Sequence, residues 1–242
     1  VKGGFTYKFD GRNFLTGNVS YATEAPLPNN AYVSPRIADF AAEGLESGKV
    51  FSADLNYIFS YASLKGRVSM FRTNFYDQIK RNSYYHDVER TYVNHILTNL
   101  NKVNQGFELG LSYLLNTNWS FDFIGTIAEY YYANNPDGTM SSENGKINNK
   151  PETVYLKNYY VGATPQIAGV FGVNYFYDYW FLGLNVNAFG RNYIDIAPIR
   201  RQASNYETVD PTNPEQLEAY NDLVDQERFG SGYTVDFSIG KV

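Results

Sequence analysis

His86 and His95 are the two histidines of this 242-residue chain, which contains no cysteine. An imidazole could serve as a general base or a metal ligand, and both lie in one long connection between patterned segments. Neither belongs to an HExxH pattern or an acidic calcium-loop spacing. A hydrolase would need a base beside a nucleophile, and solvated loop histidines are the expectation instead. Gly-rich phosphate loops are absent as well. Gly17, Gly66, Gly106, Gly110, Gly125, Gly169, Gly172 and Gly183 fall inside the patterned segments, where glycine relieves curvature or crowding. The chain is therefore not expected to be an enzyme or to hold a metal or cofactor. Pro198-Ile199-Arg200-Arg201 is a basic turn suited to an anionic ligand or to lipopolysaccharide.

The segments that must position any such residues alternate apolar and polar side chains over about ten residues. In Val50 to Tyr61, Phe51, Ala53, Leu55, Tyr57, Phe59 and Tyr61 share one face, and Ser52, Asp54, Asn56 and Ser60 the other. Soluble strands are usually about five or six residues long, whereas a tilted strand crossing a membrane needs about nine to eleven. Nine strands follow: 2–9, 14–23, 49–60, 64–76, 105–115, 119–131, 161–176, 180–193 and 232–242. The turns are alternately short (Asp10–Asn13, Tyr61–Ser63, Asn116–Asn118, Tyr177–Tyr179) and long (24–48, 77–104, 132–160, 194–231). Tight turns at one rim and long loops at the other are the asymmetry of an antiparallel transmembrane β-barrel, with short turns periplasmic and long loops extracellular.

The same parity recurs along the chain. Phe107, Leu109, Leu111 and Tyr113 oppose Glu108, Gly110 and Ser112, and Leu182, Leu184 and Val186 oppose Gly183 and Asn185. The polar parity is assigned to the lumen, because a lysine or arginine facing lipid at midplane costs about 2–4 kcal/mol. Asp54, Lys65, Arg67, Glu108, Asp122, Arg191 and Asp236 are the expected lumen charges. Arg72 breaks the parity and is placed beyond the hydrocarbon band. Tyr57, Phe59, Tyr61, Tyr113, Trp119, Tyr175, Tyr177, Tyr179 and Trp180 cluster by the short turns as an aromatic girdle. Two loops carry helix signals. Asn213-Pro214-Glu215-Gln216 supplies an N-cap and a first-turn proline ahead of Leu217, Tyr220, Leu223 and Val224, and Ser34-Pro35 ahead of Ile37, Phe40, Ala41 and Leu45 is a weaker copy. Either helix would pack on its own loop or touch a substrate.

Composition agrees with a barrel. Aromatic residues make up 17% of the chain, with 23 tyrosines and 17 phenylalanines, and the net charge of −5 speaks against nucleic acid as a partner. Mean hydropathy is only −0.41, as expected when half of each strand faces water. No run is long enough for a membrane helix. A chain opening at Val1 without a leader is expected to be processed or cut.

Gly17-Asn18-Val19-Ser20-Tyr21-Ala22-Thr23-Glu24-Ala25-Pro26, Asn74-Phe75-Tyr76-Asp77-Gln78-Ile79, Tyr92-Val93-Asn94 leading to Gln105-Gly106-Phe107-Glu108-Leu109, and Val161-Gly162-Ala163-Thr164-Pro165-Gln166 resemble, in order and spacing, the late barrel strands of TonB-dependent outer-membrane receptors. That resemblance covers essentially the whole chain. It implies a 22-stranded barrel closed by an N-terminal plug, in a Gram-negative outer membrane, importing a large or scarce nutrient with energy transmitted by TonB. Residues 1–242 would then be part of one barrel domain, without plug, TonB box or signal peptide. An odd strand number fits a section of a larger barrel, because an open edge in lipid leaves backbone groups unpaired. The rivals are a complete ten-stranded barrel with a strand hidden in 194–231, acting as a passive porin, and a secreted β-rich binding or adhesion module.

In that family ligand is held between the outer loops and the plug. The resemblance thus implies loop candidates Tyr84, Tyr85, Tyr130, Tyr131, Tyr132, Asn134, Tyr159 and Tyr160, with Tyr32, Asn135 and Tyr206 beside them. They would stack on and hydrogen-bond to a sugar ring or planar chelate, or pack the loops together. Implied partners are lipid, lipopolysaccharide, the receptor's own plug, TonB, a surface lipoprotein and the nutrient. The lumen charges would meet plug or water.

Overall fold

Alternation at period two leaves each strand one apolar and one polar face, and lateral pairing satisfies its backbone. A computed structural model of the chain describes all residues but 35–37, 88, 149 and 242. Nine strands form an unbroken antiparallel path in sequence order: β1 (Lys2–Lys8), β2 (Asn13–Glu24), β3 (Gly48–Ser60), β4 (Leu64–His86), β5 (Thr91–Leu114), β6 (Trp119–Tyr132), β7 (Ile167–Tyr177), β8 (Trp180–Gly190) and β9 (Gly232–Lys241). All nine sequence-expected strands are present. Among the described residues no helix is long and apolar enough to cross a membrane, which leaves open a crossing by strands.

Register confirms the two faces. Phe5, Gly17, Leu55, Met70, Phe107, Ile127 and Ile167 lie in one outward row across seven strands. The next row outward along the strands is Val19, Ala53, Arg72, Gln105 and Glu129. There Arg72 Nη1 donates to Gln105 Oε1 at 2.9 Å and Gln105 Nε2 donates to Glu129 Oε2 at 3.2 Å. Arg72 also donates through Nε to Asn74, which donates in turn to the Tyr76 hydroxyl. A hydrogen-bonded polar row therefore crosses this face at Arg72, Gln105 and Glu129.

On the opposite parity Asn18 and Asn56 both donate to the Asp54 carboxylate, and Arg67 donates to Asn56 Oδ1 at 2.6 Å and to Ser69 Oγ at 2.8 Å. Asn174 donates to Asp122 and Asn187 to Asp236. At the short-turn rim, Tyr7, Phe9, Tyr57, Phe59 and Tyr61 form a continuous chain of ring contacts, and Trp119 lies 4.5 Å from Tyr175. Asp178 and Tyr179 both take positive φ, 47° and 65°, the backbone of a tight two-residue hairpin. Close approach requires Gly106, whose added Cβ would lie 2.6 Å from the Ile127 carbonyl oxygen. Gly110 faces open space, so crowding does not account for every strand glycine.

Above the barrel rim the structure departs from the sequence reading. Residues 77–104 were expected as a loop, yet β4 and β5 continue as a paired hairpin out to His86 and Thr91. A register shift near Gln78 and positive φ at Asp77 and Asn99 mark the rim. The Lys49 ammonium holds Asp77 at 2.6 Å. A short strand, Asp137–Ser142, pairs along the outer half of β5, so that Val93 to Thr98 is buried throughout. Leu97 and Leu100 pack with Tyr132, Val154, Leu156 and Ile196, drawing three connections into one core.

His95 lies in this packed layer at 1% exposure, which corrects the expectation of a solvated loop histidine. Gly138 permits the closure, since a Cβ there would stand 2.6 Å from His95 Nε2 and from Val154. Residues 38–41 also differ from expectation. Instead of a helix they form a strand, Ala38–Ala41, paired with Tyr32–Ser34; the Pro35 and Ile37 of that expected helix lie outside the described residues. A one-turn helix, α1 (Pro28–Ala31), precedes them. In the last connection a 3-10 turn (Pro198–Arg201) leads to α2 (Ala203–Glu207) and α3 (Pro214–Val224). Asn213 caps α3 by accepting from the backbone N–H groups of Glu215 and Gln216, as its sequence requires.

Two outcomes follow. Leu184→Arg, on the outward face, should cost about 2–4 kcal/mol of stability by denaturant unfolding in lipid vesicles. Asn185→Arg, one residue along on the lumen face, should stay within about 0.5 kcal/mol; equal losses would undo the assignment of faces. Burial lowers the His95 pKa from 6.5 to about 4, against the opposing charge of Glu152. A histidine neutral in the fold and charged when exposed supports the loop core fully above about pH 6.5, and that support is lost as pH falls towards the folded value. Amide protection factors across Thr91–Leu100 should drop over this window, and much less in His95→Leu. A parallel drop in both proteins would assign the effect to other groups.

Candidate functional site

The connection after β6 and the one before β9 are joined edge to edge. Val154 bridges Gln202, and the Tyr155 N–H donates to the Arg201 carbonyl at 2.8 Å. The Gln226 side chain clamps the far side of the same unit: its Oε1 accepts from the Tyr160 N–H and its Nε2 donates to the Tyr160 and Ile194 carbonyls. Lys80, on the outer hairpin, adds an ion pair to Asp195 at 3.0 Å. Short helices without a large core of their own are held by these main-chain and side-chain bonds rather than by apolar burial.

Between the joined connections lies a cavity of ≈ 380 Å³ lined by Tyr155, Tyr159, Arg201, Tyr206, Tyr220 and Val224. The rings of Tyr206 stand edge-on to those of Tyr155 and Tyr220, at 6.1 and 5.6 Å. The Arg201 guanidinium carbon lies 4.5 Å from the centre of the Tyr159 ring. Arg201 is 4% exposed. Its hydrogen bonds run to the main-chain carbonyls of Ala197, Val224 and Asp225, its Nε has no partner, and no carboxylate among the described residues lies within ion-pair distance. Burial raises the Tyr220 pKa while the Arg201 charge draws it back down.

The sequence-expected loop residues divide sharply. Tyr159 lines this cavity. Tyr160 stacks on Tyr193 with centroids 4.4 Å apart and accepts from Arg191 at its hydroxyl. Tyr132 is a core residue at 3% exposure and is corrected from ligand contact to packing. Asn134 is likewise consumed by the fold, its Oδ1 accepting from the Asn101 N–H and its Nδ2 donating to the Asn99 carbonyl. Asn135 accepts from the N–H groups of Leu156 and Lys157. Tyr84 donates to the Met140 sulfur, and Tyr85 packs on Tyr92 at the hairpin. Tyr130 donates its backbone N–H to Gln166, and Tyr131 bridges Tyr160. Of the loop residues expected from the sequence, Tyr159 and Tyr206 line the tyrosine cavity and the others do not.

Asp54, Lys65, Arg67, Glu108, Asp122 and Asp236 all fall on the lumen parity. Arg191 follows the end of β8 with φ of 53°, so strand alternation does not extend through it, and it donates to the Tyr160 hydroxyl. Of the cavity residues, Tyr155 carried no sequence signal. Tyr206, Tyr220 and Arg201 each did, as a loop aromatic, a helix-face residue and part of a basic turn, but nothing in their spacing joined them.

No family model and no curated protein matches the chain. Solved structures do. The copper transporter OprC aligns with a TM-score of 0.63 at 13% identity, over 98% of this chain and 30% of its own. The ferric yersiniabactin uptake receptor FyuA from Yersinia pestis aligns at 0.60 and 16%, over 99% and 29%. The siderophore receptor PirA from Acinetobacter baumannii aligns at 0.58 and 13%, over 99% and 34%. The chain thus spans about a third of the length of the proteins it matches. With its nine sequential strands, two-faced wall and one-sided long loops, the chain has the fold of one section of the β-barrel of these transporters and uptake receptors.

Proposed function

We propose that the chain is part of the barrel wall of an active importer in a Gram-negative outer membrane, which takes up a large or scarce nutrient in a TonB-dependent manner. Residues 1–242 belong to a single barrel domain, and the work is transport rather than catalysis. One observation carries this reading: nearly the whole chain superimposes on a minor part of transporters and uptake receptors for copper and siderophores. The physical pattern supports it independently. An outward apolar band closed by the Arg72–Gln105–Glu129 row suits lipid below and headgroups above. The lumen networks around Asp54, Asp122 and Asp236 offer a wet, hydrogen-bonding surface to a plug. At the mouth, the loops pack on one another through Leu97, Tyr132, Leu156 and Ile196, and present a preformed vestibule to a ligand. The partners in this reading are lipid and lipopolysaccharide outside, a plug within and TonB beneath.

The polypeptide that carries this chain, extracted from outer-membrane fractions, should have an intact mass several-fold above 27.5 kDa. Reconstituted in planar bilayers, it should show no steady ion conductance, because a plug fills the lumen. A mass near 27.5 kDa together with a steady open-channel conductance would leave a small passive porin instead.

A further inference from the structure

The Arg201 cavity poses an unusual electrostatic problem. A guanidinium carries five N–H donors and a permanent charge, and burying such a charge is costly unless an anion compensates it. Arg201 is buried, donates three hydrogen bonds to neutral carbonyls, leaves its Nε unpartnered, and has no carboxylate within reach among the described residues. The face of Tyr159 is its principal compensation, and a cation–π contact offsets only part of a buried charge. Yet the charge borders a cavity of ≈ 380 Å³, which falls in the size range of small-molecule sites. The other walls are three tyrosines and Val224. Tyr206 stands edge-on to Tyr155 and Tyr220 on either side, leaving ring faces and edges for a flat guest rather than a filled stack.

We propose that this cavity binds a planar aromatic oxyanion, whose negative group completes Arg201 and whose ring lies among Tyr155, Tyr206 and Tyr220. This deepens the importer reading, on which it rests, by naming the chemical class that the loops select. A neutral sugar would use the tyrosines but leave the guanidinium uncompensated. An aliphatic anion would satisfy Arg201 but leave the aromatic walls unused. The construction of the site also explains its position. Tyr155 and Tyr159 come from one loop and Arg201, Tyr206 and Tyr220 from another, and the Val154–Gln202 bridge and the Tyr155–Arg201 hydrogen bond hold the two together. Ligand and loop closure therefore support each other.

The test uses the full-length protein purified in detergent and three probes titrated by calorimetry: 1-naphthoate, the neutral 1-naphthalenemethanol and the non-aromatic cyclohexanecarboxylate. Saturable binding is expected for naphthoate alone. Tyr206→Ala, at a residue that is 46% exposed and outside the loop core, should weaken it about tenfold, the scale of losing one good contact. Arg201→Gln should abolish it, and Arg201→Lys should restore only a small part, because lysine lacks the planar donor set. Binding of naphthoate that survives Tyr206→Ala and Arg201→Gln would overturn the proposal, as would equal binding of the neutral probe or no saturable binding of naphthoate. Should Arg201→Gln fail to fold, Tyr206→Ala decides alone. Binding is read at equilibrium without transport. A conductive small porin that binds naphthoate would sink the importer reading and keep the site, and a plugged receptor that ignores naphthoate would do the reverse.

Discussion

Lateral backbone pairing is the interaction on which the rest of this structure depends. Where no water reaches, every strand N–H and C=O must find a partner on a neighbouring strand, and pairing in a fixed register sends alternate side chains to opposite faces for the whole length of the wall. A slip of one residue in β5 against β6 would carry Glu108 to the apolar face and Phe107 to the polar one. The register of Phe107 with Ile127 and Met70 thus keeps apolar side chains together on one face and the Asp54–Asn56–Arg67 network on the other. Each face penalises an error that the other would tolerate.

The same constraint explains how the wall ends. Towards the short turns the apolar parity is filled by rings whose hydroxyls and indole N–H can reach headgroups. Towards the long loops it is filled by Arg72, Gln105 and Glu129, whose mutual hydrogen bonds let three polar side chains occupy outward positions without standing alone. Beyond that row water is available again and strict alternation lapses. β4 and β5 then shift register through Asp77 and Gln78 and continue as a hairpin whose β5 strand is buried on both faces from Val93 to Thr98. A barrel wall thereby becomes a small globular layer, with its own core of Leu97, Leu100, Val154 and Leu156.

That layer changes the meaning of the loop side chains. Asn134 and Asn135 look like ligand groups in a polar loop, but a layer without regular pairing leaves backbone N–H groups to be satisfied by side chains, and these two asparagines do so. Tyr132 is drawn inward for the complementary reason, since a short loop core needs large apolar surface from whatever residue the rim supplies. Arg201 resists both explanations. Its burial satisfies three carbonyls but leaves its charge beside an open aromatic cavity, which is why chemistry is assigned there rather than to the histidines.

Period-two alternation, turn residues and aromatic placement by themselves determined the nine wall strands, their two faces and the clustering of rings by the short turns. They also determined α3, because Asn213 and Pro214 act on neighbours two or three residues away. These are local or strictly periodic effects, which one strand or one helix turn carries on its own. Tertiary structure alone decided the extension of β4 and β5, the burial of His95, the strand at Ala38–Ala41 and the left-handed break at Arg191. It also decided the meeting of Tyr155 and Tyr159 with Arg201, Tyr206 and Tyr220. Each depends on contacts between connections far apart in the chain or on a single left-handed residue, and such contacts leave no period to count: Tyr155 is one tyrosine among 23 until the Val154–Gln202 bridge sets it beside Arg201.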